Sequence, residues 1–325
     1  MRRLPGRGVS VLHPPPLPAP LYKGSTNAWE CDEGGHLNVR FHCERALTGL
    51  HMLAAALDMP RAFAPVTSGT LLPLDLHVRY LKEALPGEML VMSGGVLTMQ
   101  DSEALVCLDA RHADGAPGAA FTLRFAHVDP HSLTPFAFSK RTREAAARLH
   151  CQAPEHALPR SIDPSAPTGE ISVARADALS VLRSGGSSVT PDQCDAFGRL
   201  RAEHMFGRAS DAVPALLGPW REKLREAAAE DGQDVAPAGA VLEARVAFRR
   251  WPQAGDLIEV RSAVVEALPK AIRIRHWMLD PVSGAAWASM EAIALTFDAR
   301  TRKAIQATPA MKKALSKTLK PEMNF

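Results

Sequence analysis

Cys31-Asp32-Glu33-Gly34-Gly35-His36-Leu37 returns later in the chain as Cys194-Asp195-Ala196-Phe197-Gly198-Arg199-Leu200. The shift is 198 − 35 = 163 residues, and it also pairs Arg45-Ala46 with Arg208-Ala209. A repeat at fixed spacing marks a duplicated structural unit. Behind the first copy, Val39, Cys43, Ala46, Leu50, Leu53 and Leu57 recur at alternating steps of four and three, the apolar stripe of an amphipathic helix. The same shift gives Ala202, Phe206, Ala209, Val213, Leu216 and Trp220, all apolar again.

Strands follow both helices. Leu74, Leu76, Val78 and Tyr80 alternate with Asp75, His77 and Arg79, and Leu242, Ala244, Val246 and Phe248 alternate with Glu243, Arg245 and Ala247. A period of two marks a half-buried strand. Each run meets a turn, Pro86-Gly87-Glu88 and Ala254-Gly255-Asp256, now shifted by 255 − 87 = 168, so the second copy carries about five extra residues. Further β-rich runs are read at 88–99, 103–112 and 119–128, and at 256–266, 270–279 and 286–297. Each half is thus one long helix followed by four strands, with a short strand expected before the helix. The fold class is α+β. The expected organisation is a disordered N-terminal segment (1–17), a first unit (18–130), a linker (131–183), a second unit (184–310) and a basic tail (311–325). Within the linker, Arg141–Leu149 reads as a short helix, and the tail's Lys312, Lys313, Lys317 and Lys320 read as a solvated face.

Composition narrows the functional classes. The chain has 325 residues, 46% apolar and 22% charged, with a formal net charge of +3. That bias is too small to argue for nucleic acid. The five cysteines form no metal-ligand spacing, and their odd number argues against a disulfide framework. No run of about 20 apolar residues is present to span a membrane. A cytoplasmic protein that does not enter membranes or bind nucleic acid is expected, with no metal. No Gly-x-Ser-x-Gly elbow occurs, and Ser184-Gly185-Gly186-Ser187-Ser188 reads as a flexible loop. Glycine loops of the Walker and Rossmann types are also missing.

Glu30-Cys31-Asp32-Glu33-Gly34-Gly35-His36-Leu37-Asn38 resembles the acidic loop of hotdog-fold thioesterases of the 4-hydroxybenzoyl-CoA thioesterase type. In that family an acid, an aspartate and a glycine lead into the central helix. The resemblance extends through the Pro-Gly-Glu turn and the strand order, over about 18–130 and 184–310. It implies one helix wrapped by a curved antiparallel sheet in each half. Two such units on one chain would form an internal pseudo-dimer, a double hotdog, and two chains could associate further as a homodimer. The implied substrate is an acyl-CoA thioester, with coenzyme A as part of the substrate and no separate cofactor.

The chemistry also follows from the residues themselves. A carboxylate just before a helix can deprotonate water or attack a thioester carbonyl, and helix-terminal N–H groups suit the resulting oxyanion. Asp32 falls where the family's catalytic aspartate sits, with His36 and Asn38 as helpers and Asp195 as the second-copy candidate. Gly35 and Gly198 permit close approach of substrate to the main chain, and Ser68 and Thr70 match a pocket-lining stretch. Arg79, Arg249 and Arg250 are the expected contacts for coenzyme A phosphates. An aspartate here also serves as a cap or turn residue, a competing purely structural role. In the second copy Arg199 and Arg201 replace His36 and Asn38, and Gln193 replaces Glu30. A guanidinium there would hold Asp195 ionised or tie it into an ion pair, leaving two readings open, an inactive second site or one turned to binding coenzyme A phosphates. Two alternatives stand beside hydrolysis: a hotdog enoyl-CoA hydratase or dehydratase, and a non-catalytic acyl-CoA-binding module.

Overall fold

The computed structural model describes residues 20–305, 308–316, 318–323 and 325; the segment 1–17, expected to be loose, lies outside them, as does Lys317. Strand β1 (Tyr22–Ser25) precedes helix α1 (Val39–Ala56), and strands β2 (Thr70–Tyr80), β3 (Met89–Met99), β4 (Glu103–His112) and β5 (Pro117–Val128) follow. Helices α2 (Lys140–Arg148) and α3 (Val173–Ala178) lie in the connection. The pattern then repeats as β6 (Leu182–Ser188), α4 (Glu203–Glu230), β7 (Pro237–Phe248), β8 (Leu257–Ala267), β9 (Ala271–Leu279) and β10 (Ala286–Asp298), with α5 (Pro309–Ser316) after it.

All ten strands join one antiparallel sheet in the order β1-β3-β4-β5-β2-β7-β10-β9-β8-β6. The order within one half mirrors that in the other, and the halves meet where β2 pairs β7. The apolar stripe of α1 packs inward as its spacing predicts: Cys43, Ala46, Leu50, Leu53 and Leu57 are buried. From the matching stripe Phe206 and Ala209 are buried against the same core, and Trp220 belongs to a second cluster with Leu224, Ile272 and Ile274.

The seam is short, five residue pairs running from Asp75↔Ala247 to Arg79↔Glu243. On its inner face Leu76, Val78, Ala244 and Val246 are fully buried. Burying each larger aliphatic side chain contributes roughly 1.5–3 kcal/mol. The outer face carries two buried polar pairs, one of them an ion pair. Arg245 holds both oxygens of Asp75 at 2.8–3.1 Å, and His77 Nε2 lies 2.8 Å from Glu243 Oε1. A buried ion pair roughly breaks even against its own desolvation, so the apolar face supplies the affinity and the polar face fixes the register. A slip by one residue would bury the charges among the leucines and valines.

Four expectations change. Ser184–Ser188 is part of β6 rather than a flexible loop, because its backbone pairs with β8 and Ser184 Oγ bonds Ser262 Oγ at 2.6 Å. Helix α4 runs 28 residues against 18 in α1, because the second copy continues as helix where the first breaks into a loop after Leu57. The connection is not a free spacer: Phe138, Ala145 and Ala146 join the main core. After β10, Lys312 and Lys313 are exposed as expected, but Leu315 and Met323 are buried.

Residues 158–169 cross the outer face of the seam as a strap. Arg79 donates to Leu158 O at 2.7 Å, Glu243 accepts the backbone N–H groups of Arg160 and Ser161 at 3.0 and 2.8 Å, and Arg245 donates to Asp163 O and Ala166 O. Arg249 closes the far end on Gly169 O at 2.7 Å.

Two measurements check this account. Arg245→Leu leaves Asp75 buried and unpaired and should cost about 3–5 kcal/mol in urea denaturation, whereas Asp75→Leu/Arg245→Leu together should cost far less. Burial alone would raise the Glu243 carboxyl, but the His77 bond and the strap amides pull it below its ordinary 4.5. A lowered carboxylate contributes stability above its unfolded value and loses it as pH falls. Wild type should therefore lose more stability than Glu243→Gln on acidification below 4.5; equal slopes would show that Glu243 is not coupled to folding.

Candidate active site

Each repeated segment folds into the same loop. One 3₁₀ turn (Ala28–Glu30, Pro191–Gln193) is closed by a capping box, Asn27 with Glu30 and Thr190 with Gln193. Isolated bridges Cys31↔Leu37 and Cys194↔Leu200 then draw the loop together. Gly35 and Gly198 take φ of +76° and +78°, a left-handed backbone that glycine adopts without penalty. Under each loop an arginine anchors it. Arg45 donates to Glu30 Oε2 at 2.8 Å and Ser25 O at 3.1 Å, and Arg208 donates to Gln193 Oε1 at 2.8 Å and Ser188 O at 3.1 Å. The repeated Arg-Ala pair of the sequence is this anchor.

In the first loop Asp32 is exposed. Its Oδ1 accepts from Gly34 N at 2.9 Å and His36 N at 3.3 Å, while Oδ2 has no hydrogen-bond partner among the described residues. A Cβ on Gly34 would lie 3.0 Å from His36 Nδ1 and 3.1 Å from Asp32 Oδ1, so the glycine lets both side chains share that side of the loop. His36 Nε2 is 3.1 Å from Glu83 Oε2, and Glu83 is held in turn by Arg302. Asn38 is committed on both sides of its amide. It caps α1 by accepting from Arg40 N at 2.9 Å and donates to Ser210 Oγ of α4 at 3.0 Å. The helix therefore begins at Val39, whose first-turn N–H has no acceptor among the described residues.

The second loop is closed. Asp195 Oδ1 accepts from Phe197 N and Arg199 N, and Oδ2 takes Arg199 Nε at 3.0 Å and Nη2 at 2.9 Å. Arg199 is buried and stacks 4.8 Å from the centroid of Phe197. Arg201 pairs with buried Glu203 at 3.0 Å, and Ala202, at the N-cap of α4, provides no side-chain cap. Burial raises the Glu203 carboxyl. Burial, with Arg40, Arg201 and Arg208 nearby, lowers His204 to about 3, so its imidazole is neutral at ordinary pH.

The candidates divide between two ends of the seam. Leu37 N bonds Ala84 O at 2.9 Å, which sets the first loop beside the C-terminal end of β2, whereas Leu200 N bonds Pro252 O at 2.8 Å beyond the C-terminal end of β7. Thr70 opens β2, ten residues or roughly 33 Å of strand before Tyr80 at that first end. Ser68 and Thr70 consequently lie away from Asp32, toward the Asp195 end. Ser68 is exposed, and Thr70 is buried with its hydroxyl unpartnered. Arg79 and Arg249 face the strap rather than either loop, and Arg250 is exposed. Sequence reading missed Glu83 and Ser210, whose roles arise only from long-range contacts with no local signal. Among the described residues no cluster of three or more His, Cys, Asp or Glu is placed for a metal, all five cysteines are free, and no helix is long and apolar enough to cross a membrane.

This architecture and loop geometry define a protein of hotdog fold. Residues 189–315 match the model of the thioesterase-like superfamily, and the resemblance read from the first loop holds for the fold of most of the chain. An oleoyl thioesterase structure from Lactobacillus plantarum superposes with a TM-score of 0.63 at 12% identity, covering 85% of this chain and 95% of that one. An acyl-ACP thioesterase from Bacteroides thetaiotaomicron VPI-5482 gives 0.61 at 12%, covering 84% and 96%. A 12:0-ACP thioesterase from Umbellularia californica gives 0.59 at 7%, covering 85% and 93%. No curated protein sequence matches the chain.

Asn38→Ala should destabilise the protein by about 1 kcal/mol in urea, the usual cost of losing a cap. Asn38→Asp, which keeps the acceptor, should recover most of it. An unchanged midpoint for Asn38→Ala would remove Asn38 from the junction.

Proposed function

We propose that the chain is a double hotdog that hydrolyses the thioester of an acyl-CoA, with the first loop as its working site. The observation that carries this reading is the asymmetry between the two aspartates: Asp32 keeps one carboxylate oxygen free and exposed, while Asp195 is clamped by Arg199. Asp32 either deprotonates a water that attacks the thioester carbonyl or attacks that carbonyl itself, forming an anhydride that water then opens. Negative charge developing on the carbonyl oxygen meets the Val39 N–H and the positive end of α1.

His36, steadied by Glu83, stands on the same side of Gly34 as Asp32 and can hydrogen-bond the water. Asn38 acts as a positioning residue, since its amide is already engaged. The reading needs no cofactor. Hydrolysis gives free acid and coenzyme A, and the proposed assembly is a homodimer of such chains.

The pantetheine thioester could instead be borne by an acyl carrier protein. Two of the similar structures carry that substrate in their names, which favours testing both carriers. The test is thiol release from short, medium, long and aryl acyl-CoAs and from acyl carrier protein thioesters. Asp32→Asn should lower turnover about a hundredfold or more, in line with loss of a base or nucleophile. Asp195→Ala should retain most of it. Full activity in Asp32→Asn would remove Asp32 from the mechanism, and release from no substrate would move the weight to enoyl-CoA hydration or binding without turnover.

A further inference from the structure

A cavity of about 780 Å³ lies on the outer face of the seam, between the sheet and the strap. It is remote from the Asp32 loop, and its walls hold polar atoms that the fold leaves unsatisfied. Arg249 contributes a guanidinium that burial alone perturbs, with no carboxylate close enough to offset it. One of its nitrogens reaches Gly169 O at 2.7 Å, while its Nε is buried without an acceptor. His77 is 1% exposed, and its Nδ1 also has no partner.

The other charges around the cavity are already matched. Arg245 is paired with Asp75, and Arg124 with Glu103 at 3.1 Å. One uncompensated positive charge remains, which fits a single negative charge better than a phosphate dianion. A buried unpaired donor costs about 1–3 kcal/mol, so a fold that keeps two such atoms against one cavity gains by filling it. Leu74, Leu105, Ala247 and Phe248 give the sheet side of the cavity an apolar wall.

The state of His77 defines the second contact. Its Nε2 faces the Glu243 carboxylate, which can only accept, so Nε2 carries a proton, and in the neutral ring Nδ1 presents a lone pair. That nitrogen calls for a ligand donor such as a hydroxyl. His77 is in register with Arg245, and Arg249 lies four residues further along β7, roughly 13 Å of strand.

We propose that the seam cavity binds an aliphatic monocarboxylate of medium length, its carboxylate on Arg249, its chain along Leu74, Leu105 and Ala247, and a terminal hydroxyl on His77 Nδ1. The site is separate from the thioesterase reading, because no residue of either loop lines it.

Calorimetric titration of the full chain with 10-hydroxydecanoate, decanoate, 1,10-decanediol and inorganic phosphate tests it. One molecule of 10-hydroxydecanoate should bind per chain, more tightly than decanoate, with phosphate weakest. Arg249→Met should weaken both acids by about tenfold or more, as expected for loss of a charge-assisted contact, and leave the diol unchanged. His77→Phe should bring 10-hydroxydecanoate down to the level of decanoate. Leu105→Trp fills the cavity without altering charge and should remove all binding, so it serves as the reading if Arg249→Met does not fold. Acid binding that persists in both Arg249→Met and Leu105→Trp lies elsewhere, including at the Asp32 loop, and overturns the proposal. Absence of binding, or phosphate binding tighter than the acids, overturns it too. Because the readout is binding, its failure is distinct from failure of hydrolysis.

Discussion

The pairing of β2 with β7 is the constraint on which the molecule depends. Five residue pairs join two five-stranded halves, and everything that distinguishes the ends of the chain is referred to that line. An antiparallel pair at the centre forces the halves into opposite orientation. The loop before α1 then falls at one end of the seam, and the loop before α4 at the other. The junction of α1 with α4 follows from the same geometry, since the Asn38–Ser210 bond can form only if the two helices lie across the seam from each other. Charged residues on the outer face make this register hard to change, because a displaced Asp75 or Glu243 would lose its partner inside the protein.

Much of the fold was legible from the repeat. The stripe Cys43, Ala46, Leu50, Leu53 and Leu57 predicted the buried face of α1, and the period of two at Leu74–Tyr80 predicted β2, because each periodicity reflects a local geometry. What failed to show were features decided by contacts between distant segments. Ser184-Gly185-Gly186-Ser187-Ser188 has the composition of a loop, and only the edge of β8 makes it a strand. Residues 158–169 look like linker because the groups that hold them, Arg79, Glu243, Arg245 and Arg249, lie about 80 residues away in the chain. Arg79 and Arg249 were read as contacts for phosphates on the strength of their charge; their actual partners are backbone carbonyls.

The site was legible in part for the same reason. Asp32, Gly35 and their second-copy counterparts stand in a contiguous segment whose turn chemistry is local, and the clamp of Arg199 on Asp195 spans only four residues. Ser68 and Thr70 could be placed in the strand but not at an end of the seam, because that depends on which half each strand joins. Glu83 reaches His36 across more than forty positions, and nothing in Lys82-Glu83-Ala84 marks it.

Charge explains how one loop design came to serve two ends. In the first copy Arg45 is neutralised by Glu30, so the charge of Asp32 is left over, exposed and unpaired. In the second, Gln193 replaces that glutamate and leaves Arg208 without a neutralising partner, its guanidinium lowered by burial despite Asp211 nearby. Arg199 is added and cancels Asp195. Taking each aspartate with its anchoring arginine and their partners, the first loop carries one excess negative charge and the second one excess positive charge. The backbone is the same in both, down to the φ of Gly35 and Gly198, so the difference cannot come from shape. A carboxylate acting as base or nucleophile needs a free lone pair and a charge that nothing else has satisfied. The exchange of Glu30 for Gln193 and of His36 for Arg199 removes those conditions from the second loop while leaving its fold intact.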